Sequence, residues 1–160
     1  MNGTTNNPYV RHEPSSADNA TEYVGGNIAR FTAGAALLTG DVVYISAANT
    51  VNKSSTAAAY LAFAGVVVGG QDTFGDCVSN DNDVGITAAS ASGKWVYVQL
   101  TGVAWVVAAA ALVAGAPLEV ATTAGRVDDV ATPTSGEVVG ISITAASNAG
   151  DKVLMLIQHR

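Results

Sequence analysis

The sequence predicts an all-β protein: a small β-barrel or sandwich built from two duplicated β units, with an extended N-terminal arm. Three observations predict it. Runs of β-branched and aromatic residues are bounded by Gly, Asn, Asp and Ser along most of the chain. Blocks of sequence recur at an offset of about 75 residues. No long segment carries a 3.6-residue apolar period, so helix is minor.

The 160 residues fit one domain or two very small ones. A chain of this length buries roughly 70% of its unfolded surface and needs no disulfide or metal to hold a core. Its single cysteine, Cys77, allows no intrachain disulfide. Only 12% of residues are charged, so Thr, Ser, Asn, Gly and Ala must cover the surface. That suits a β surface touching other protein, and equally an ordinary stable β domain.

The net charge is −6, and Arg11, Arg30, Lys53, Lys94, Arg126, Lys152 and Arg160 never cluster. They cannot neutralise a phosphate track, which argues against nucleic acid and against an anionic membrane surface as partners.

In chain order, residues 1–27 are rich in Asn, Thr, Ser, Pro and Gly and nearly free of aliphatic residues. They cannot bury enough apolar area to offset ordering, and read as an extended polar arm. The arm begins polar, with no apolar stretch of the secretory type. Asn2, Asn19 and Asn52 open Asn-x-Ser/Thr triplets, the product of a chain rich in these residues.

The β domain spans 28–160, with an internal repeat at about 28–102 and 103–160. AGAALLTG (33–40) lies over AAAALVAG (108–115), and each block ends in Gly before a β run: DVVYIS (41–46) and APLEVA (116–121). At the same offset FAGVVV (63–68) lies over VVGISI (138–143). Turns follow near Asn49 and Gly125. Strands are expected at 27–31, 42–46, 61–68, 84–87, 94–100, 103–107, 118–121, 126–127, 138–143 and 152–158.

Within 94–100, Trp95, Tyr97 and Gln99 alternate with Val96, Val98 and Leu100, and the Val/Leu face is the expected core. KVLMLIQ (152–158) is apolar on both faces, as when both are covered. Residues 108–112 leave room for one helical turn. The uncharged stretch 102–118 is short for a spanning helix. The repeat instead equates its Ala-rich part with 33–40, a turn-like lead-in to a strand. A polar loop, 71–93, reads as an insertion between the units.

Candidate chemistry is sparse. Asp72, Asp76, Asp81 and Asp83 share that loop, but their spacing fits no EF-hand, and the cluster reads as a solvated turn with a weak cation site as the alternative. His12 and His159 lie near the chain ends, where a general base lacks fixed geometry. Cys77 has no nearby His and reads as a structural thiol. No nucleophile elbow or Cys/His metal spacing occurs, and Gly69-Gly70 opens no helix that could cradle phosphate. The reading is therefore no enzyme, no catalytic or metal site and no cofactor. Trp95 and Trp105 flank the chain's centre, as buried packing or as an exposed platform for a sugar or protein.

The run AGAALLTGDVV (33–43), then GVVV (65–68), then GEVVGISITAA (136–146) closing with GDKV (150–153), resembles the capsid decoration, or cement, proteins of tailed phages. The resemblance covers roughly 28–158. It implies a β-rich protein, often trimeric, that sits on the outer capsid face, binds the major capsid protein and staples capsomers. Location on the virion exterior after synthesis in the host cytoplasm follows from it. The competing reading is a phage head-fibre or receptor- or carbohydrate-binding module using Trp95 or Trp105. A small hydrolase has no constellation to support it.

Overall fold

A computed structural model of the chain describes residues 26–55, 62–70, 88–130, 132 and 138–158. The strands are β1 (Ile28–Ala33), β2 (Leu37–Leu38), β3 (Val42–Ala47), β4 (Thr50–Lys53), β5 (Phe63–Gly70), β6 (Ala88–Ser90), β7 (Trp95–Gln99), β8 (Gly102–Val107), β9 (Pro117–Val120), β10 (Val127–Asp129), β11 (Gly140–Ser142) and β12 (Lys152–Ile157). The described residues contain no α-helix.

The first sheet closes into a barrel in the order β1-β4-β3-β5-β7, with β7 returning antiparallel to β1. Its one parallel pairing, β1 with β4, matches Ala33 to Val51. The second sheet runs β10-β9-β11-β12-β8. A parallel bridge between Ala108 and Val127 joins its two edges. The second sheet therefore curls into a barrel of the same plan, closed by one bridge.

The agreement extends to register. Val43 faces Gly65 in the first barrel, and Leu118 faces Gly140 in the second. Phe31 faces Val96, and Val106 faces Val153. Ile45 faces Val51, and Val120 faces Val127. Along β1, β3 and β5 the equivalent residue lies 75 positions later; along β4 it lies 76 later, and along β7 only 57 later. The drop from 75 to 57 reflects the longer β5–β7 connection in the first barrel.

The turns repeat too. Asp41 N–H donates to Leu38 O across Gly40 (φ 84°), and Ala116 N–H donates to Val113 O across Gly115 (φ 85°). A tight turn whose third residue has positive φ selects Gly, which has no Cβ to clash.

Pleat geometry explains the cores. On β3 and β5 neighbouring residues point to opposite faces. Val43 and Val67 enter the first barrel with Ala33, Leu37, Val51, Val96 and Val98. Val42, Phe63 and Val66 point outward, into the core of the second barrel, beside Ala104, Val106, Leu118, Val120 and Met155. With both faces covered, β5 is buried along its whole length and needs the small apolar run FAGVVVGG.

The structure shows a barrel plan, and every expected strand within the described residues lies within two positions of an observed one. The strand expected at 84–87 lies outside the described residues. Three strands escaped the sequence reading. β2 is two residues long, β4 carries the turn-like Asn52, and β6 is Ala-Ala-Ser, weak in β preference. The helical turn at 108–112 does not form. Ala108 N–H donates to Asp151 O, and Leu112 pairs with Ala146, so the ladder claims those backbone groups. Gln99 is another correction: it shares a face with Trp95 and Tyr97 but is buried. That end of β7 lies at the barrel junction, where Gln99 Nε2 donates to Thr101 O (3.1 Å) and Val103 O (2.8 Å). β12, expected to be covered on both faces, is so except at Leu156, which is 38% exposed.

Candidate functional site

Asp72, Asp76, Asp81, Asp83, Cys77, His12 and His159 lie outside the described residues, as does the arm through residue 25. Among the described residues no group of three or more His, Cys, Asp or Glu is placed to hold a metal. No helix among them is long and apolar enough to cross a membrane. Stretch 102–118 instead forms β8, the closing bridge and the start of β9.

One ion pair is largely buried. Lys53 Nζ lies 2.9 Å from Asp41 Oδ2, which also accepts from Leu38 N–H at 2.6 Å. Burial raises the Asp41 carboxyl above its ordinary value, against the opposing pull of the Leu38 N–H, Lys53 and Arg126. A raised carboxyl can mark a general acid, but Asp41 is only 7% exposed. The turn between β9 and β10 packs against it instead: a Cβ on Gly125 would lie 2.4 Å from Asp41 Oδ1. Val42 N–H donates to Gly125 O (3.0 Å) and Gly125 N–H to Ser54 O (2.8 Å). Asp41 and Lys53 thus lie at the junction of the barrels, whose main-chain hydrogen bonds cross at Gly125. Sequence reasoning passed over them because Asp41 stands in a turn motif and Lys53 at a strand end; their shared junction is a tertiary fact.

The tryptophans are both half-buried. Trp95 meets Tyr97 edge-to-face, centroids 5.1 Å apart, a favoured aromatic geometry. Trp105 stands opposite Leu154 on β12, and its Nε1–H is buried without a hydrogen-bond partner. Neither forms a flat exposed platform.

A more extensive surface feature lies on the outside of the second barrel. Val103, Leu156, Ile141 and Pro117 stand directly opposite one another across β8, β12, β11 and β9. Directly opposed residues share a face, so they form an apolar row across four strands. Ile143 follows two residues beyond Ile141 on the same face, 46% exposed, and Val113, just before the β9 turn, is 68% exposed. Such contiguous apolar surface on a β sheet marks a contact site. Two deeper features keep the sheet beneath it rigid. Ser142 Oγ donates to Val113 O (2.6 Å) and accepts from Ala116 N–H (3.0 Å), and Thr144 Oγ1 accepts from Leu154 N–H (2.9 Å).

No protein-family model and no curated protein matches the chain. Solved structures do share its fold, among them two phage proteins. The head fibre gp8.5 N base of bacteriophage phi29 is similar at 15% identity and TM-score 0.50, over 83% of this chain and 94% of that one. A chain of the capsid of Myoviridae phage XM1 is similar at 19% identity and TM-score 0.52, over 92% of this chain and 91% of that one. The fold is therefore one that phage head structures use, as the resemblance to phage head proteins led us to expect.

Proposed function

We propose that this protein is a structural capsid decoration protein that binds the outer surface of a phage head and stabilises contacts between capsomers. Its partners are the major capsid protein and further copies of itself, most simply in a homotrimer, and its place is the virion exterior. It works without catalysis and without a cofactor. Residues 28–160 act as one β body of two repeated units, and the polar arm 1–27 reaches over a neighbour. The observation that carries this reading is the likeness of the fold, along nearly the whole of both chains, to a phage capsid component. The low charge and the apolar outer row of the second barrel agree with a mostly apolar, hydrogen-bonded contact.

The mechanism is linkage. A ligand that binds only the intact shell stabilises it by about 2.7 kcal/mol per site when free ligand is 100 times Kd. Many sites per particle then oppose bursting. The test is heat challenge of particles with and without the protein. Decorated particles should survive at higher temperature, with binding nearly independent of salt. Equal survival, or binding that collapses at moderate salt, contradicts the proposal.

The phi29 likeness favours a second reading, a head-fibre base or receptor-binding module. A glycan array separates the two: a decoration protein binds undecorated capsids and no glycan.

A further inference from the structure

We propose that the exposed outer face of the second barrel is covered by a second copy of this chain, seated on the mouth of that copy's first barrel. This deepens the self-association in the proposed function and rests on it. The template for the contact lies inside the chain. The outer face of the first barrel, at Val42, Phe63 and Val66, is buried because it joins the core of the second barrel at Ala104, Val106 and Val120. Face and mouth each have an equivalent in the other barrel, by the shared register.

The face repeats in the second barrel. Pro117 and Ile141 stand where Val42 and Val66 do, with Leu156 in the place of Gln99 and Val103 in that of Ile28. All four are apolar, and no described segment covers them as the second barrel covers the first. The mouth repeats in the first barrel. Ala29, Phe31 and Ile45 stand where Ala104, Val106 and Val120 do. The second-barrel trio is buried. Ala29 and Phe31 are only half-buried, and Ile45 is 48% exposed. Among the described residues each chain thus shows one uncovered face and one partly open mouth, where Phe31 rests on the first barrel's core, the two halves of an interface it already makes internally.

Two surfaces that complement each other without being the same surface make a head-to-tail contact, which closes into a ring when the rotation permits. The polar fastening of the internal junction is missing from the free pair. Pro117 has no N–H to replace that of Val42. Ala116 and Asp129 stand where Asp41 and Lys53 form their ion pair. The contact between copies is therefore apolar, reversible and insensitive to salt.

The test uses sedimentation of the full chain and two surface variants, Leu156→Glu on the face and Ile45→Glu at the mouth, with thermal melts to verify folding. Each variant alone should weaken association by at least about tenfold, the scale of one disrupted contact residue. Mixed in equal amounts they should form a heterodimer and nothing larger, since one keeps its mouth and the other its face. If Leu156→Glu melts early, Ile143→Glu, on the same face and 46% exposed, replaces it. Wild type that stays monomeric, variants that associate like wild type, or disruption by the face variant alone would each overturn the head-to-tail contact. The last of these would signal a face-to-face dimer. Capsid binding of the same samples keeps the proposals apart: a monomer that still binds capsids removes this contact and leaves the decoration reading standing.

Discussion

Val42 and Val66 in the first barrel occupy the same ladder positions as Pro117 and Ile141 in the second, yet the first pair is sealed in a core and the second borders solvent. The inward-facing neighbours show no such contrast: Val43 and Leu118 are both completely buried. Interior positions answer to the barrel itself, and outer positions answer to what lies against it. The polar residues diverge by the same logic. Asp41 and Lys53 pair where the first barrel meets the second, whereas the second barrel, with no junction at that place, carries Ala116 and Asp129.

Leu118→Ala should have the largest effect. It empties a site in the core that also holds Val42 and Val66, and such deletions cost about 2–5 kcal/mol. Because that core joins the barrels, urea unfolding should show one transition shifted as a whole; separate transitions would mean the barrels fold independently. Val43→Ala, at the equivalent position, removes fewer carbons and should cost less.

Gly65 and Gly140 sharpen the comparison. They are equivalent, and an added Cβ would lie 2.0 Å from Gln99 O in the first case and 2.7 Å from Leu156 O in the second. Gly65→Ala meets main chain and should cost about 3 kcal/mol. Gly140→Ala mainly meets the Met155 side chain, at 2.5 Å. Met155 can adjust and the approach to Leu156 O is less close than that to Gln99 O, so the cost should be smaller, about 1–2 kcal/mol. Chemical denaturation that ranks them the other way would show that the second barrel closes more tightly than the first.

Lys53→Met leaves Asp41 buried without its cation and should cost about 1–3 kcal/mol. Adding Asp41→Asn should recover much of that loss, because no charge is then stranded. An additive double variant would mean the two residues do not act as a pair.

The smallest expected effect is on pH dependence. The raised Asp41 carboxyl binds a proton more readily in the folded state than in the unfolded one. Its stabilising contribution is therefore fully present below the ordinary value of 3.8 and lost as pH rises through the raised one. Relative to Asp41→Asn, the wild type should lose stability across the window just above that ordinary value and run parallel to the variant at higher pH. Thermal melts across mildly acid pH measure the difference.

Much of this fold was legible in residue patterns. The β runs and the offset near 75 residues could be read directly, because strand sequences alternate and turns demand Gly or Asn at fixed places. β2 and β6 could not, since two or three residues of Leu, Ala or Ser carry too little signal. Gln99 misled because alternation predicts a face but not what packs against it. The candidate surface was largely hidden for the same reason. Ile141 and Leu156 look like ordinary strand residues until the sheet brings them into one row.

The sequence by itself determined that the chain is all-β and that its blocks recur at one offset. These properties are local or compositional, set by backbone preference, period and residue type. Only the tertiary structure decided that each set of strands curls into the same barrel, that one barrel's outer face completes the other's core, and that the Asp41–Lys53 pair is buried where they meet. Those features depend on contacts between segments distant in the chain, and no local preference encodes which of two equivalent faces will be covered.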